Sequence, residues 1–208
     1  MKEALEANQK AVALHDEVVR ENGTEPNFRN RLAISLDNLG TVYFFAGQQA
    51  KAREAFQQAL AVAEPLARDN PAVVAFQEWL IHYHIDLGHL FLQTGEDAEA
   101  RRSFEKALEL GEKLPPGPPT HFSYAYIHRG LGKLLRKQGK TAAALEGLQK
   151  AVQIGETNPG QKPYSTYELA CARALCSAVV GAGKPEPTAA EQAAKRRYAE
   201  QAMEALRQ

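Results

Sequence analysis

A skeleton of seven positions recurs three times in this 208-residue chain. "LGTVYFFAGQQAKAREAFQQA" begins at Leu39, "LGHLFLQTGEDAEARRSFEKA" at Leu87 and "LGKLLRKQGKTAAALEGLQKA" at Leu131, at intervals of 48 and 44 residues. A recurrence at this interval indicates an array of repeated supersecondary units, which bury apolar surface between neighbours and have no single central core. The recurrence therefore constrains the fold more than the composition does.

Each copy contains two helical patterns separated by a glycine. In the first copy, Leu36, Leu39 and Tyr43 fall on one face at the spacing of an α-helix, and Ala52 and Phe56 do the same in the second half. Two short amphipathic helices joined by a turn form a helical hairpin. The sequence therefore predicts stacked hairpins.

Glycines occupy two kinds of position in these hairpins. Gly47, Gly95 and Gly139 follow the first helix, where a left-handed residue ends it and glycine adopts that conformation without steric cost. Gly40 lies inside a helix, where glycine costs about 1 kcal/mol relative to alanine. Its recurrence predicts close approach of a bulky side chain, such as that of Phe56.

The skeleton resembles the tetratricopeptide repeat (TPR), whose signature is a Leu-Gly pair, an aromatic residue three positions later, a turn glycine, and then Ala, Phe and Ala. The resemblance implies an all-α superhelix, or solenoid, of helical hairpins, with about nine helices in this chain. It also implies that the first helices of the hairpins line a groove for a peptide or partner helix. The interval exceeds the family's common 34 residues, which predicts longer helices.

Two segments resemble a narrower group within that family. "EPNFRNRLAISLDNLG" and "NPAVVAFQEWLIHYHIDLG" are similar to the long-period TPR arrays attached to serine/threonine kinases of planctomycete-type bacteria. This resemblance implies a regulatory or scaffold region of a larger bacterial signalling protein. The chain itself carries no ATP loop, catalytic loop or metal-binding Asp motif of a kinase.

The recurrence predicts a single TPR array and its internal boundaries. "ALEANQKAVALHDEVVREN" aligns with "AREAFQQALAVAEPLARDN" 48 residues later, so the first helix is expected to lack its hairpin mate. Its apolar stripe of Leu5, Val12 and Val19 then predicts weak self-association. The expected segments are an unpaired helix in 1–22, repeats in 26–70, 71–114 and 119–157, and a degenerate repeat in 164–208.

Charge and hydropathy narrow the classes of partner and compartment. The chain has 25 basic and 25 acidic residues and no net charge, so no global field favours nucleic acid or an anionic membrane. No apolar run reaches the ~20 residues that span a bilayer, and the start "MKEALEANQK" is too polar for a signal peptide. We therefore expect a cytoplasmic protein that binds neither nucleic acid nor membrane.

No motif predicts an enzyme or a cofactor. "QGKT" resembles the end of a phosphate-binding loop, but the required first glycine would fall at Leu134, in a helical segment instead of a strand. His82, Asp86 and His89 share one helical stripe, which leaves two interpretations. It is a polar surface of the groove or, alternatively, a zinc site.

The predicted peptide-binding groove is the helical face opposite the core of each first helix. Asn38 matches the asparagine with which peptide-binding TPRs hold a ligand backbone, as the resemblance implies. The cluster of Arg129, Lys133, Arg136 and Lys137 predicts an acidic segment in the partner, although a solvated basic face and a purely structural spacer remain alternatives. The complete set is Ile34, Asn38, Thr41, Phe45, His82, Asp86, His89, Gln93, Tyr126, Arg129, Lys133, Arg136, Lys137, Arg173 and Ser177.

Overall fold

The structure, a computed structural model, describes residues 2–23, 25–114, 118–157 and 164–207, with side chains from 123 and 166 onward in the last two ranges. Within these ranges the chain forms nine α-helices and no strand. They are α1 (Lys2–Glu21), α2 (Pro26–Phe45), α3 (Gln49–Asp69), α4 (Val74–Thr94), α5 (Asp97–Glu112), α6 (Pro118–Lys137), α7 (Thr141–Thr157), α8 (Tyr164–Val179) and α9 (Ala189–Ala205).

The helices pack as neighbouring hairpins within two compact units. One unit contains α1–α5, in which α2 pairs with α3, α4 pairs with α5, and α1 packs on α2. The other contains α6–α9, in which α6 pairs with α7, α8 pairs with α9, and α7 contacts α8. The predicted all-α fold of stacked helical hairpins is confirmed. The predicted repeat boundaries stay a prediction.

Small residues face large ones inside the hairpins, as the sequence predicts. A Cβ atom built on Gly40 would lie 2.6 Å from Cδ1 of Phe56, and one built on Gly132 would lie 2.7 Å from Cγ of Leu148. Such distances are shorter than a carbon–carbon contact allows. The glycines therefore let α2 approach α3, and α6 approach α7.

The turn glycines adopt the predicted conformation. Gly47, Gly95 and Gly139 have φ angles of 72°, 86° and 73°. After α4, the backbone N–H of Glu96 donates to the carbonyl of Phe91 at 2.8 Å, which satisfies a carbonyl at the helix end. The proline- and glycine-rich segments "PPGPP" and "NPGQKP" also predict turns, but residues 115–117 and 158–163 lie outside the described residues.

Helix α1 packs on α2 in the way that α3 packs on α4. Val12 and Val19 lie against the buried core cluster that α2, α3 and α4 form. The ring of His15 hydrogen-bonds Oγ of Ser35 on α2 at 2.7 Å. No α1 residue is fully buried, and Leu14 is 62% exposed. None of the described helices is long and apolar enough to cross a bilayer.

Candidate peptide-binding faces

The first helix of the first hairpin presents an apolar and an amide group to solvent. Helix α2 buries Leu36, Leu39 and Tyr43. Asn38 lies on the opposite side of the helix and is exposed, and Phe45, two residues after Tyr43, is 71% exposed. Two further predicted groove residues, Ile34 and Thr41, are half-buried.

Helix α4 continues this face only in part. His82 and Gln93 are exposed, as a groove surface requires. His89 is half-buried, and its ring meets the ring of Phe104 edge-on at 5.1 Å, so it turns toward α5. Asp86 is half-buried and turns toward α2.

Asp86 reaches a second carboxyl group, that of Asp37 on α2. The side chain of Asp37 is hydrogen-bonded to that of Asp86 and is only 7% exposed. Burial, then the charge of Asp86, raises the pKa of Asp37 well above its usual value. Burial also raises the pKa of Asp86, to about 7, against the opposing effect of the hydrogen bond from Asp37. Two carboxyl groups in contact away from water cannot both ionise at low cost.

An aromatic cluster adjoins this carboxyl pair. The hydroxyl group of Tyr83 is buried and has no hydrogen-bond partner in the described part of the chain, and burial and the two aspartates raise the pKa of Tyr83. The ring of Trp79 stacks on that of Tyr83 with centroids 6.2 Å apart and lies 5.8 Å from the ring of His82. Trp79 is the single tryptophan of the chain, so its fluorescence reports on this region.

In the second unit, Arg129 of α6 forms an ion pair with Glu168 of α8. Nε of Arg129 lies 2.8 Å from Oε2 of Glu168, and the side chains are only 12% and 15% exposed. The guanidinium also lies over the ring of Tyr126, 5.3 Å from its centroid. Burial raises the pKa of Glu168, and the attraction of Arg129 and Lys133 only partly offsets this. One of the four predicted cations is therefore already paired within the protein.

The other basic side chains of α6 stay closer to solvent. Lys133 is half-buried, and its pKa is lowered by burial and then by the charge of Arg129. Arg136 and Lys137 are exposed. The predicted basic cluster thus retains positive charge that Glu168 does not neutralise.

The comparisons with known proteins match this arrangement of hairpins. Tetratricopeptide repeat models match residues 32–65 and 80–157. The chain is a tetratricopeptide repeat protein. This TPR protein matches no curated protein. Among solved structures it is similar to the crystal structure of BtubC (BKLC) from P. vanneervenii, with a TM-score of 0.58 and 14% identity over 99% of this chain and 90% of that chain. At that identity the likeness shows the fold alone.

Two predicted groove residues of the TPR protein point elsewhere. Arg173 of α8 pairs with Glu156 of α7 at 2.8 Å and donates to the carbonyl of Gln201 on α9. Ser177 donates to the carbonyl of Lys195, also on α9. Arg173 therefore contacts the second helices α7 and α9, and Ser177 contacts α9, the second helix of its own hairpin. The sequence alignment missed this because the last repeat is degenerate.

The structure does not bring His82, Asp86 and His89 together. Asp86 bonds Asp37, and His89 packs on Phe104. In the part of the TPR protein that the structure describes, no group of three His, Cys, Asp or Glu side chains could hold a metal ion. The zinc alternative therefore has no geometric support.

The carboxyl pair and the Arg129–Glu168 pair are features that sequence reasoning missed. Asp37 stands in an apolar stretch, one residue before Asn38, and Asp86 occupies the position equivalent to Asn38 in the next repeat. Two acids at neighbouring positions of successive first helices are a signal that could have predicted the carboxyl pair. Glu168 belongs to no repeated position, so no comparable signal pointed to it.

Proposed function

We propose that this TPR protein is a non-catalytic protein-interaction module, which binds a peptide or a partner helix on the first helices of its hairpins. The observation that carries this proposal is the exposure of Phe45 and Asn38 on α2, opposite a buried core. An exposed aromatic ring offers apolar contact area at low entropic cost, and an amide can both donate to and accept from a peptide backbone. TPRs generally mediate protein–protein interaction, which supports this role.

For the second unit, we propose that the basic side chains of α6 contact an acidic segment of the partner. Lys133 and Arg136 supply this contact, because Glu168 already neutralises Arg129. Exposed charges at the rim of an interface mainly accelerate association, whereas desolvated charges hold the complex together. Because Lys133 is partly buried, we expect it to hold the complex together more than to accelerate association.

The test uses two labelled peptides of equal length, one rich in Glu and Asp and one neutral, both containing an apolar residue. Binding to the wild type is measured by fluorescence anisotropy at two salt concentrations. The variants are Lys133→Glu with Arg136→Glu, and Asn38→Ala with Phe45→Ala. The Lys133→Glu, Arg136→Glu variant should lose the preference for the acidic peptide. The Asn38→Ala, Phe45→Ala variant should bind both peptides about tenfold more weakly, or weaker still.

Two matched controls separate specific contacts from general changes of charge and surface. Lys195→Glu with Arg196→Glu makes the same charge change on exposed residues of α9, and Met203→Ala removes an apolar side chain that is 54% exposed. Neither should change binding. Equal binding of both peptides would remove the acidic segment from the proposal, and absence of any binding would favour a structural spacer.

We propose further that the chain acts within a larger bacterial signalling protein of the cytoplasm, such as a serine/threonine kinase. The resemblance of "EPNFRNRLAISLDNLG" to kinase-attached arrays supports this context. The coding sequence upstream of Met1 tests it. A kinase domain in the same reading frame would support the proposal, and a stop codon directly upstream would contradict it.

We also propose weak self-association through α1. Leu5 continues the stripe of Val12 and Val19, which pack on the core cluster, but is itself only half-buried. Leu14 is exposed on the opposite side, so apolar area stays uncovered at both positions. Light scattering over a dilution series should show a concentration-dependent mass in the wild type and a monomer in Leu5→Glu with Leu14→Glu. A wild type that remains monomeric at millimolar concentration would contradict this.

A further inference from the structure

The buried carboxyl pair of Asp37 and Asp86 joins the first helices of the first two hairpins. Asp37 belongs to α2 and Asp86 to α4, and their side chains are hydrogen-bonded to each other. A hydrogen bond between two carboxyl groups requires a proton on one of them, since an ionised carboxylate has no donor. The contact between α2 and α4 therefore includes a titratable proton.

Among the described residues, no cation contributes to the pKa of either aspartate. Burial and the partner carboxyl account for the shifts in pKa of both aspartates. Within α4, the nearby hydroxyl group of Tyr83 is neutral, and desolvation by neighbouring groups lowers the pKa of His82, although part of its side chain stays exposed. Three ionisable groups of the other helices in this unit have contacts of their own: His15 of α1 with Ser35, Arg53 of α3 with Glu96, and Lys106 of α5 with Glu109.

Without a cation, the cheapest way to keep both carboxyl groups buried is to retain a proton. Removing a charge from water is costly unless an opposite charge or several hydrogen bonds compensate for it. Oδ1 of Asp37 has no hydrogen-bond partner among the described residues, so nothing there stabilises a second negative charge. Loss of the shared proton would place two like charges in contact.

We infer that Asp37 and Asp86 hold a proton between α2 and α4 at neutral pH, and that its loss at alkaline pH loosens the contact between these two helices. Asn38 follows Asp37 directly, and His82 precedes Asp86 by one helical turn. The proton thereby controls the spacing of the face that α2 and α4 present. This device is independent of the proposed peptide binding, since it can be measured without a partner.

The sign of the pH dependence follows from the proton balance. In the unfolded chain both carboxyl groups lose their protons near the ordinary pKa of aspartic acid, whereas the folded chain keeps at least one well above it. The folded state therefore binds more protons, and its stability decreases as the pH rises from about 4 toward and beyond the Asp86 pKa of about 7. Each extra bound proton changes the folding equilibrium constant by about tenfold per pH unit.

The first experiment compares urea unfolding of the wild type and Asp37→Asn between pH 5 and 9, followed by Trp79 fluorescence. The Asn amide keeps the donor to Asp86 but cannot ionise. With each unit of increasing pH, the folding equilibrium constant of the wild type should decrease by about tenfold more than that of Asp37→Asn. Histidines are common to both proteins, so the difference between the profiles isolates the carboxyl pair. Asp69→Asn, at an exposed carboxylate of the same unit, should follow the wild type.

The second experiment detects the proton directly by infrared spectroscopy in heavy water at pH 8. The carbonyl stretch of a protonated carboxylic acid should be present in the wild type and in Asp69→Asn and weaker in Asp37→Asn. Asp86→Asn is the second variant if Asp37→Asn does not fold, and it should likewise flatten the pH profile. Parallel pH profiles, or a band that neither substitution weakens, would overturn the inference.

Discussion

The ring of Phe104 lies against Gly88 so closely that a Cβ atom on the glycine would stand 2.6 Å from Cε1 of the ring. Phe104 is fully buried in α5, so it cannot move aside without disturbing the hairpin. We therefore expect Gly88→Ala to destabilise the protein by about 1–3 kcal/mol, the usual cost of overpacking a core. Urea unfolding followed by circular dichroism measures the change.

Gly147 provides the matched control for that substitution. It lies in α7, and the nearest atom to its added Cβ, the carbonyl oxygen of His128, is at an ordinary 3.6 Å. Because alanine favours a helix more than glycine does, Gly147→Ala should stabilise the protein by up to about 1 kcal/mol. Destabilisation by both substitutions would show that contact with Phe104 is not the cause.

The ion pair of Arg129 and Glu168 should be sensitive to loss of one partner. The side chain of Arg129 is only 12% exposed, and Glu168→Ala removes its carboxylate partner. We therefore expect the free energy of unfolding to decrease by about 3 kcal/mol. Glu105→Ala, which breaks an ion pair of 2.7 Å with Arg101 at half-exposed side chains, should cost less than about 1 kcal/mol. Thermal unfolding of the wild type and both variants measures the two losses of stability.

Replacing both partners of the Arg129–Glu168 pair should cost much less than removing one. Burial raises the pKa of Glu168 despite its cation, so the desolvation cost outweighs the attraction in this pair. Arg129→Met combined with Glu168→Leu should therefore leave stability unchanged or higher. A double variant as unstable as Glu168→Ala would contradict this explanation.

The last hairpin should contribute to stability only through its neighbour. Helix α8 supplies Ala172, Cys176 and Val179 to a core cluster shared with α7. Deletion of residues 164–208 should lower the stability of α6 and α7 while leaving the unit of α1–α5 folded, as nearest-neighbour packing in repeat proteins requires. Circular dichroism measures the loss of helix, and Trp79 fluorescence reports the unfolding of the unit of α1–α5. Loss of the Trp79 transition would contradict this prediction.

The two cysteines should differ in reactivity. Cys176 is fully buried, and burial raises the pKa of its thiol to about 11, so almost no thiolate forms at neutral pH. Cys171 is half-buried on the same helix. Iodoacetamide at pH 8 should modify Cys171 first and Cys176 only after denaturant is added, as mass spectrometry of the peptides will show. Equal rates in the native protein would mean that α8 opens frequently.

The recurring skeleton was sufficient to predict the hairpins and their contacts. Gly40 and Phe56 are 16 positions apart within one hairpin, and every copy repeats the pair with similar sizes. Contacts of this kind depend on helical period and turn length, which are local properties. The same reasoning predicted the exposure of Asn38 and Phe45, since they lie opposite the apolar stripe.

The amino-acid sequence by itself thus determined the helical hairpin, its glycine turn and the packing of small residues against large ones. The tertiary structure decided which polar groups meet across helices. It placed Asp37 against Asp86, Arg129 against Glu168, and Arg173 against α7 and α9. Each of these contacts depends on the rotation of one helix relative to another, and a difference of one residue turns a side chain by about 100°. Periodicity within one helix fixes only its own faces, so the partner of a polar side chain follows from packing alone.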